Sequence, residues 1–229
     1  MSAAVVTLSS GLDSSVSLAI ARAEGREIPL ALTFDYGQRA ARRETEAAAR
    51  LAARFGVTHR VVRLPWIAEF PGALTGRGEL PLPRSGDLEG EASVRSAGAV
   101  WVPNRNGVFL EVAAGFAEAL GADEVLVGFN REEAATFPDN SAAYVQALNV
   151  ALGLSTRGRV RIASPTLFLD KREIVARAKR MDFPFELLWS CYIDGPRMCG
   201  RCESCQRLKR ALIANEVATD ALFDDPALC

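Results

Sequence analysis

The sequence predicts an α/β fold: a doubly wound parallel sheet of the Rossmann-like kind, followed by a small cysteine-rich helical region. Three observations carry that expectation. Short aliphatic runs alternate along the chain with segments of helical period, as βαβ units require. The first run stops abruptly at "SSGLDSS" (9–15), a small-residue turn that opens a helix. Four of the five cysteines crowd into "CYIDGPRMCGRCESC" (191–205).

Taken in order, residues 5–8 read as a β-branched and aliphatic strand, and 14–24 as a helix stopping at Gly25. Residues 28–35 are apolar enough for a strand buried on both faces. A long Ala/Arg/Glu helix over 38–55 is closed by Gly56, a favoured residue just past a helix end. A third strand covers 58–64. From 65 to 103 the pattern fails, in a stretch rich in Gly and Pro. Roughly forty residues are long for a structureless loop, so an irregular lid or oligomer contact is expected there. Regularity returns with a helix over 107–120, a strand over 124–128, a helix over 141–152, a strand over 160–163 and a helix over 171–181. A last helix is expected over 205–215. The division expected is a nucleotide-binding α/β domain over 1–185 and a cysteine region over 186–229.

At 229 residues, 49% hydrophobic and 24% charged, the chain has the composition of a packed globular protein. A net charge of −1 argues against gripping a nucleic acid backbone, which calls for a basic surface. No apolar run has membrane-spanning length, and no leader pattern is visible at the N-terminus. The expectation is a cytoplasmic chain with no membrane partner and no direct nucleic acid contact.

A parallel sheet places its ligand at the carboxyl ends of its strands. Four segments that follow strands carry polar residues there: 9–15, 35–39, 128–139 and 164–171. A strand, a small-residue loop and a helix N-terminus together suit an anion, because backbone N–H groups and the helix dipole both face it. Gly11 permits close approach, and Ser9, Ser14 and Ser15 add hydroxyl donors. No Gly-Lys-Ser/Thr follows, so the loop suits a departing pyrophosphate rather than a transferring γ-phosphate. The ordinary alternative is a helix cap by Asp13 or Ser14.

Cys199, Cys202 and Cys205 stand at successive C-x-x-C spacing, with Cys191 eight residues earlier. Clustered cysteines in such a chain point to metal rather than disulfides. Four thiolates suit a closed, structural Zn²⁺ site, with an iron–sulfur cluster as the competitor. Arg197, Arg201 and Arg207 stand near enough in sequence to offset the thiolate charge.

"SSGLDSS" resembles the pyrophosphate loop of the PP-loop ATPases, which usually reads Ser-Gly-Gly-x-Asp-Ser. Ser10 stands where that pattern has glycine, adding a side chain close to the phosphates. With "TFDYGQR" (33–39), "VPNRN" (102–106), "FPDNS" (137–141), "SPTLFLDK" (164–171) and the cysteine cluster, the chain resembles the 7-cyano-7-deazaguanine synthase family over nearly its whole length. The resemblance implies an adenine nucleotide alpha hydrolase-like fold and a homodimer. It also implies a queuosine-pathway ligase that joins 7-carboxy-7-deazaguanine and ammonia with ATP, Mg²⁺ and structural zinc. ATP is expected on Leu8, Ser9, Ser10, Gly11, Leu12, Asp13, Ser14, Ser15 and Val16, with Asp13, Ser14 and Lys171 expected to be catalytic.

Lys171 is expected on phosphate; its alternative is a solvated first-turn lysine behind an Asp170–Glu173 capping box. Arg105 and Asn106 are expected on substrate or phosphate, or in part capping the next helix. Tyr36 and Arg39 could reach nucleotide or deazapurine, while a tyrosine there could equally pack in the core. Asp139 could accept from the guanine-like N–H edge, or cap the helix over 141–152. His59 is expected to be structural. The chain departs from the family at Ala40, where His is usual, and at Asn140 and Ser141, where Cys and Arg are usual. It also offers Glu132 and Glu133 in place of an aspartate after the fourth strand. Three alternatives stay open: an amidating ligase for another carboxylate, a tRNA-modifying PP-loop enzyme, and a zinc-stabilised nucleotide-binding module. No glutaminase segment is apparent, so ammonia is expected free or from a partner.

Overall fold

Alternate residues of the first strand enter different cores, and that alternation sets the architecture. In the computed structural model, which describes residues 2–83 and 85–225, β1 (Ala3–Thr7) is the middle of five parallel strands. β2 (Glu27–Asp35) and then β3 (His59–Arg63) lie on one side, and β4 (Glu124–Leu126) and then β5 (Arg161–Ala163) on the other. The order is therefore β3-β2-β1-β4-β5, with Thr7 beside Leu32 and Val5 beside Val125. The chain reverses its direction of winding between β1 and β4, which is where a doubly wound sheet opens its crevice.

The helices in chain order are α1 (Leu12–Ala23), α2 (Ala41–Arg54), α3 (Gly90–Val100), α4 (Arg105–Leu120), α5 (Arg131–Ala134), α6 (Ala142–Ser155), α7 (Lys171–Lys179) and α8 (Glu203–Ile213). Ala4, Val6 and Leu8 pack with α1, α2, α7 and α8 in one core. Val5, Val125 and Val127 pack with α4 and α6 in the other. The four clustered cysteines belong to the first core, alongside Ile174 and Leu208. Cys229 and the end of the 186–229 region lie outside the described residues.

The stretch over 65–103 is more regular than its composition implies, because it contains α3. The helix buries Ser93, Ser96, Ala97 and Val100, at helical spacing. Two of those four positions are serines, so no apolar stripe marks the helix in the sequence. Their hydroxyls are satisfied inside: Ser93 accepts from Arg207 at 2.7 Å and Ser96 donates to Glu203. Of the described residues, no helix is long and apolar enough to cross a membrane.

Candidate active site

The turn after β1 is built to leave backbone donors open. Gly11 caps α1 with no side-chain hydrogen bond, so neither Asp13 nor Ser14 serves as the helix cap. The Ser14 hydroxyl instead braces the turn, accepting from the Ser9 N–H at 3.2 Å and lying 3.0 Å from the Ser9 Oγ. Ser10 adopts φ +62°, the left-handed region that favours glycine. Ser10 offsets the strain by hydrogen bonds from its hydroxyl to the Ser9 and Trp189 carbonyls. Its side chain is wholly buried, and it is absent from the cavity wall. The side chain expected close to the phosphates therefore faces the protein rather than the cavity.

Gly128, just beyond β4, closes the other side. A Cβ there would overlap the Ser14 amide nitrogen and stand 2.6 Å from the Asp13 carbonyl carbon. Between these two strand ends opens a cavity of about 280 Å³. Leu8, Ser9, Gly11, Leu12, Asp13 and Ser14 line it, whereas Ser15 and Val16 are buried behind it.

Lys171 begins α7, behind the capping box that Asp170 and Glu173 form. The side chain is not solvated. It lies 6% exposed, with its Nζ 2.7 Å from Asp13 Oδ2 and 2.7 Å from Glu133 Oε1. Burial pulls the ammonium's pKa down, but the two carboxylates outweigh it and hold it above the ordinary lysine value. Burial pushes Asp13 up to about 6, against the attraction of Lys171. Glu133 is lowered, because Lys171 and nearby guanidinium groups overcome the effect of its burial. Asp13 Oδ1 is buried without a hydrogen-bond partner.

From this charged end the cavity runs to an aromatic end walled by Phe34, Tyr36 and Phe109. Phe34 and Phe109 stack at 4.2 Å. Arg105 donates to the Tyr36 hydroxyl at 3.2 Å, and both line the cavity with Asn106. Two expected residues stand elsewhere. Arg39 is not on the wall; it donates to the Ala73 carbonyl at 2.8 Å and the Gly78 carbonyl at 2.9 Å, fastening the segment that carries the wall residue Leu74. Asp139 sits behind the wall and accepts from Asn140 at 3.1 Å, while Asn140 itself lines the cavity. His59 lies 2.8 Å from the Thr33 hydroxyl, a structural contact as expected.

Residues not foreseen from the sequence include Glu44, Phe109, Trp189 and Tyr192, all on the wall. Glu44 carried a usable signal. It precedes the buried Ala47, Ala48, Leu51 and Ala52 of α2 at helical spacing, so it lies on the helix's inward face.

The Sγ atoms of Cys191, Cys199, Cys202 and Cys205 all lie within 4.8 Å of one another, and this group could hold a metal ion. Cys199 and Cys205 are 3.9 Å apart. That matches the edge of about 3.8 Å of a tetrahedron with 2.3 Å metal–sulfur bonds. Backbone N–H groups of Arg201 and Cys202 point at Cys199 Sγ at 3.4 and 3.3 Å. α8 leaves this cluster and carries Arg207 to Glu132 at 2.7 Å, tying the cysteine cluster to the loop that holds Glu133.

This arrangement can bind a nucleotide's phosphates at one end of a cavity and a flat heterocycle at the other. The family described as "Queuosine biosynthesis protein QueC" matches residues 3–216. The 7-cyano-7-deazaguanine synthase of Pelotomaculum thermopropionicum is 53% identical over 210 residues, covering 90% of this chain and 95% of the relative. The synthase of Bdellovibrio bacteriovorus is 45% identical over 224 residues, 96% and 97% of the two chains. That of Methanosarcina mazei is 47% identical over 214 residues, 91% and 92%. Matched over nearly its whole length and at such identities, the chain belongs to the QueC family of queuosine biosynthesis proteins.

Proposed function

We propose that the protein is an ATP-dependent carbon–nitrogen ligase that converts 7-carboxy-7-deazaguanine and ammonia to the 7-cyano product. The observation that carries this reading is the two-ended cavity. Its charged end joins an uncapped helix N-terminus to a buried lysine, and its aromatic end suits a planar ring. The family's relatives are named for the nitrile product.

A carboxylate is a poor acyl donor, so its oxygen first attacks the α-phosphorus of ATP and pyrophosphate departs. The turn over 9–14 receives the pyrophosphate on backbone N–H groups, and Lys171 supplies fixed positive charge beside it. Such preorganised charge is the main source of catalysis in phosphoryl chemistry. Ammonia then displaces AMP and loses a proton, leaving the amide. The amide oxygen attacks a second ATP in the same way. Loss of AMP and a proton from that adduct forms the carbon–nitrogen triple bond. Substrate is held by Tyr36, Arg105 and Asn106, with Asp139 acting from behind through Asn106 and Asn140. Arg39 acts through the loop that it fastens.

The unpartnered Asp13 Oδ1 and the Glu133 carboxylate are hard oxygen donors that fit Mg²⁺. The ion supplies neutralisation of phosphate charge when bound. Zinc is the metal we assign to the four thiolates, since their spacing fits one tetrahedral ion and a closed site does no chemistry.

Mass spectrometry of a reaction with 7-carboxy-7-deazaguanine, ATP, Mg²⁺ and ammonium tests the reading. It expects the nitrile mass to accumulate with AMP. A chain that forms no AMP with this substrate overturns it.

A further inference from the structure

The aromatic end of the cavity contains a carboxylate that the reaction as described does not use. Glu44, in the first turn of α2, lines the wall with Tyr36, Phe109 and Arg105. Its Oε2 accepts from the Gln38 amide at 2.7 Å. Gln38 is itself locked, donating to the Phe34 carbonyl at 3.0 Å and accepting from the Tyr36 N–H at 2.9 Å. The carboxylate is thus held in one orientation by a clamp built on the end of β2. Its other oxygen takes no protein donor among the described residues. Arg105 commits one guanidinium nitrogen to the Tyr36 hydroxyl and no other to a protein acceptor among those residues.

Burial pushes Glu44 up to about 7, with Gln38 and Arg105 pulling it down and Asp35 pushing it further up. A carboxylate held at that cost, with a free oxygen in a ligand cavity, calls for a ligand with N–H donors. We propose that Glu44 reads the donor edge of the substrate heterocycle, accepting from a ring N–H and the adjacent exocyclic amino group of its guanine-type ring. Arg105 meets the neighbouring carbonyl oxygen. The substrate's identity in this inference rests on the ligase reading above.

The chemistry is selective between the two heterocycles that share the cavity. A guanine-type edge offers two donors side by side, which match a carboxylate. The adenine edge offers one donor beside a ring nitrogen lone pair, which a carboxylate repels. Glu44 therefore seats the substrate and turns the adenine of ATP away from the same place. A residue that only held Gln38 would show no such preference.

The test is binding by calorimetry to the full chain and to Glu44→Gln and Glu44→Asp. The ligands are 7-carboxy-7-deazaguanine, its counterpart lacking the 2-amino group, and ATP. The wild type is expected to prefer the amino compound by about 10- to 100-fold. Glu44→Gln is expected to narrow that preference to within about threefold by weakening the amino compound alone. Its ATP affinity is expected to hold, and Glu44→Asp to keep the preference. A folded Glu44→Gln with the wild-type preference overturns the inference and leaves the ligase reading intact. If Glu44→Gln does not fold, Glu44→Asp decides: equal loss for both compounds makes the residue structural and overturns the inference. A wild type that binds neither compound overturns the ligase reading, and this inference with it.

Discussion

Lys171, at the start of α7, places its ammonium 2.7 Å from the Asp13 carboxylate in the first turn of α1, although 158 residues separate the two. Glu133 takes the same ammonium from the other side. One buried cation therefore joins three segments that follow three different strands. Replacing it leaves the buried Asp13 carboxylate and the partly buried Glu133 carboxylate without their shared cation. We expect Lys171→Met to lower AMP formation by about 10²- to 10³-fold. Its melting temperature should fall more at about pH 8 than at about pH 6, because protonation relieves the unpaired carboxylates. Equal losses at both values would count against a charge role.

Ser10 occupies a left-handed backbone position with its hydroxyl turned from the cavity. Ser10→Gly removes the strain and the two hydroxyl bonds together. Stability should stay within about 1 kcal/mol of wild type, and the KM for ATP should not change. A raised KM would mean that the hydroxyl touches the nucleotide after all.

Gly128 admits no side chain, since its Cβ would overlap the backbone of Asp13 and Ser14 in the turn after β1. Gly128→Ala is expected to cost about 1–3 kcal/mol by overpacking and to weaken ATP binding as the turn shifts. Urea unfolding and nucleotide titration measure the two effects separately. An alanine variant with native ATP affinity would show that the contact is loose.

The four thiolates stand close enough for one ion and are fully enclosed in the core. Atomic absorption should find about one zinc per chain. Cys202→Ser should lose it and melt about 10 °C lower. Iron in place of zinc, or a metal-free chain of unchanged melting temperature, would contradict this assignment.

Glu44 also gives the protein a pH signature. Its folded value is raised to about 7 from 4.5 by burial. The stability it contributes is present in full below the lower value and is lost as pH rises through the higher one. Glu44→Gln does not titrate there, so its melting temperature should gain on the wild type between about pH 5 and pH 8. Substrate affinity of the wild type should rise over the same interval, as the accepting carboxylate forms. Gln38, Arg105 and Asp35 are the groups that set the midpoint. Parallel curves for the two proteins would remove Glu44 from the account.

The strands and most helices were legible because their apolar spacing is set by burial against a sheet. The turn after β1 was legible as a strand-to-helix junction because an aliphatic run stops at small residues and a helical pattern follows. The helix α3 was not, since Ser93 and Ser96 fill buried positions and pair with Arg207 and Glu203 from a distant helix. Arg39 read as a site residue by its place after β2, yet its guanidinium reaches the carbonyls of a loop whose path no local pattern fixes. Ser10 read as a deviation beside the site, whereas its hydroxyl turns to the Ser9 and Trp189 carbonyls and is not on the cavity wall. Glu44 was not singled out among the charges of its Ala/Arg/Glu helix. Its meaning depends on the Gln38 clamp, which forms only once β2 and α2 have packed.

The most direct test of the ligase reading is the ratio of AMP to nitrile in a single time course with 7-carboxy-7-deazaguanine, ATP, Mg²⁺ and ammonium. Two successive adenylations at one site predict two AMP for each nitrile, with the amide as a transient. One AMP for each product, with the amide as the end point, would contradict it.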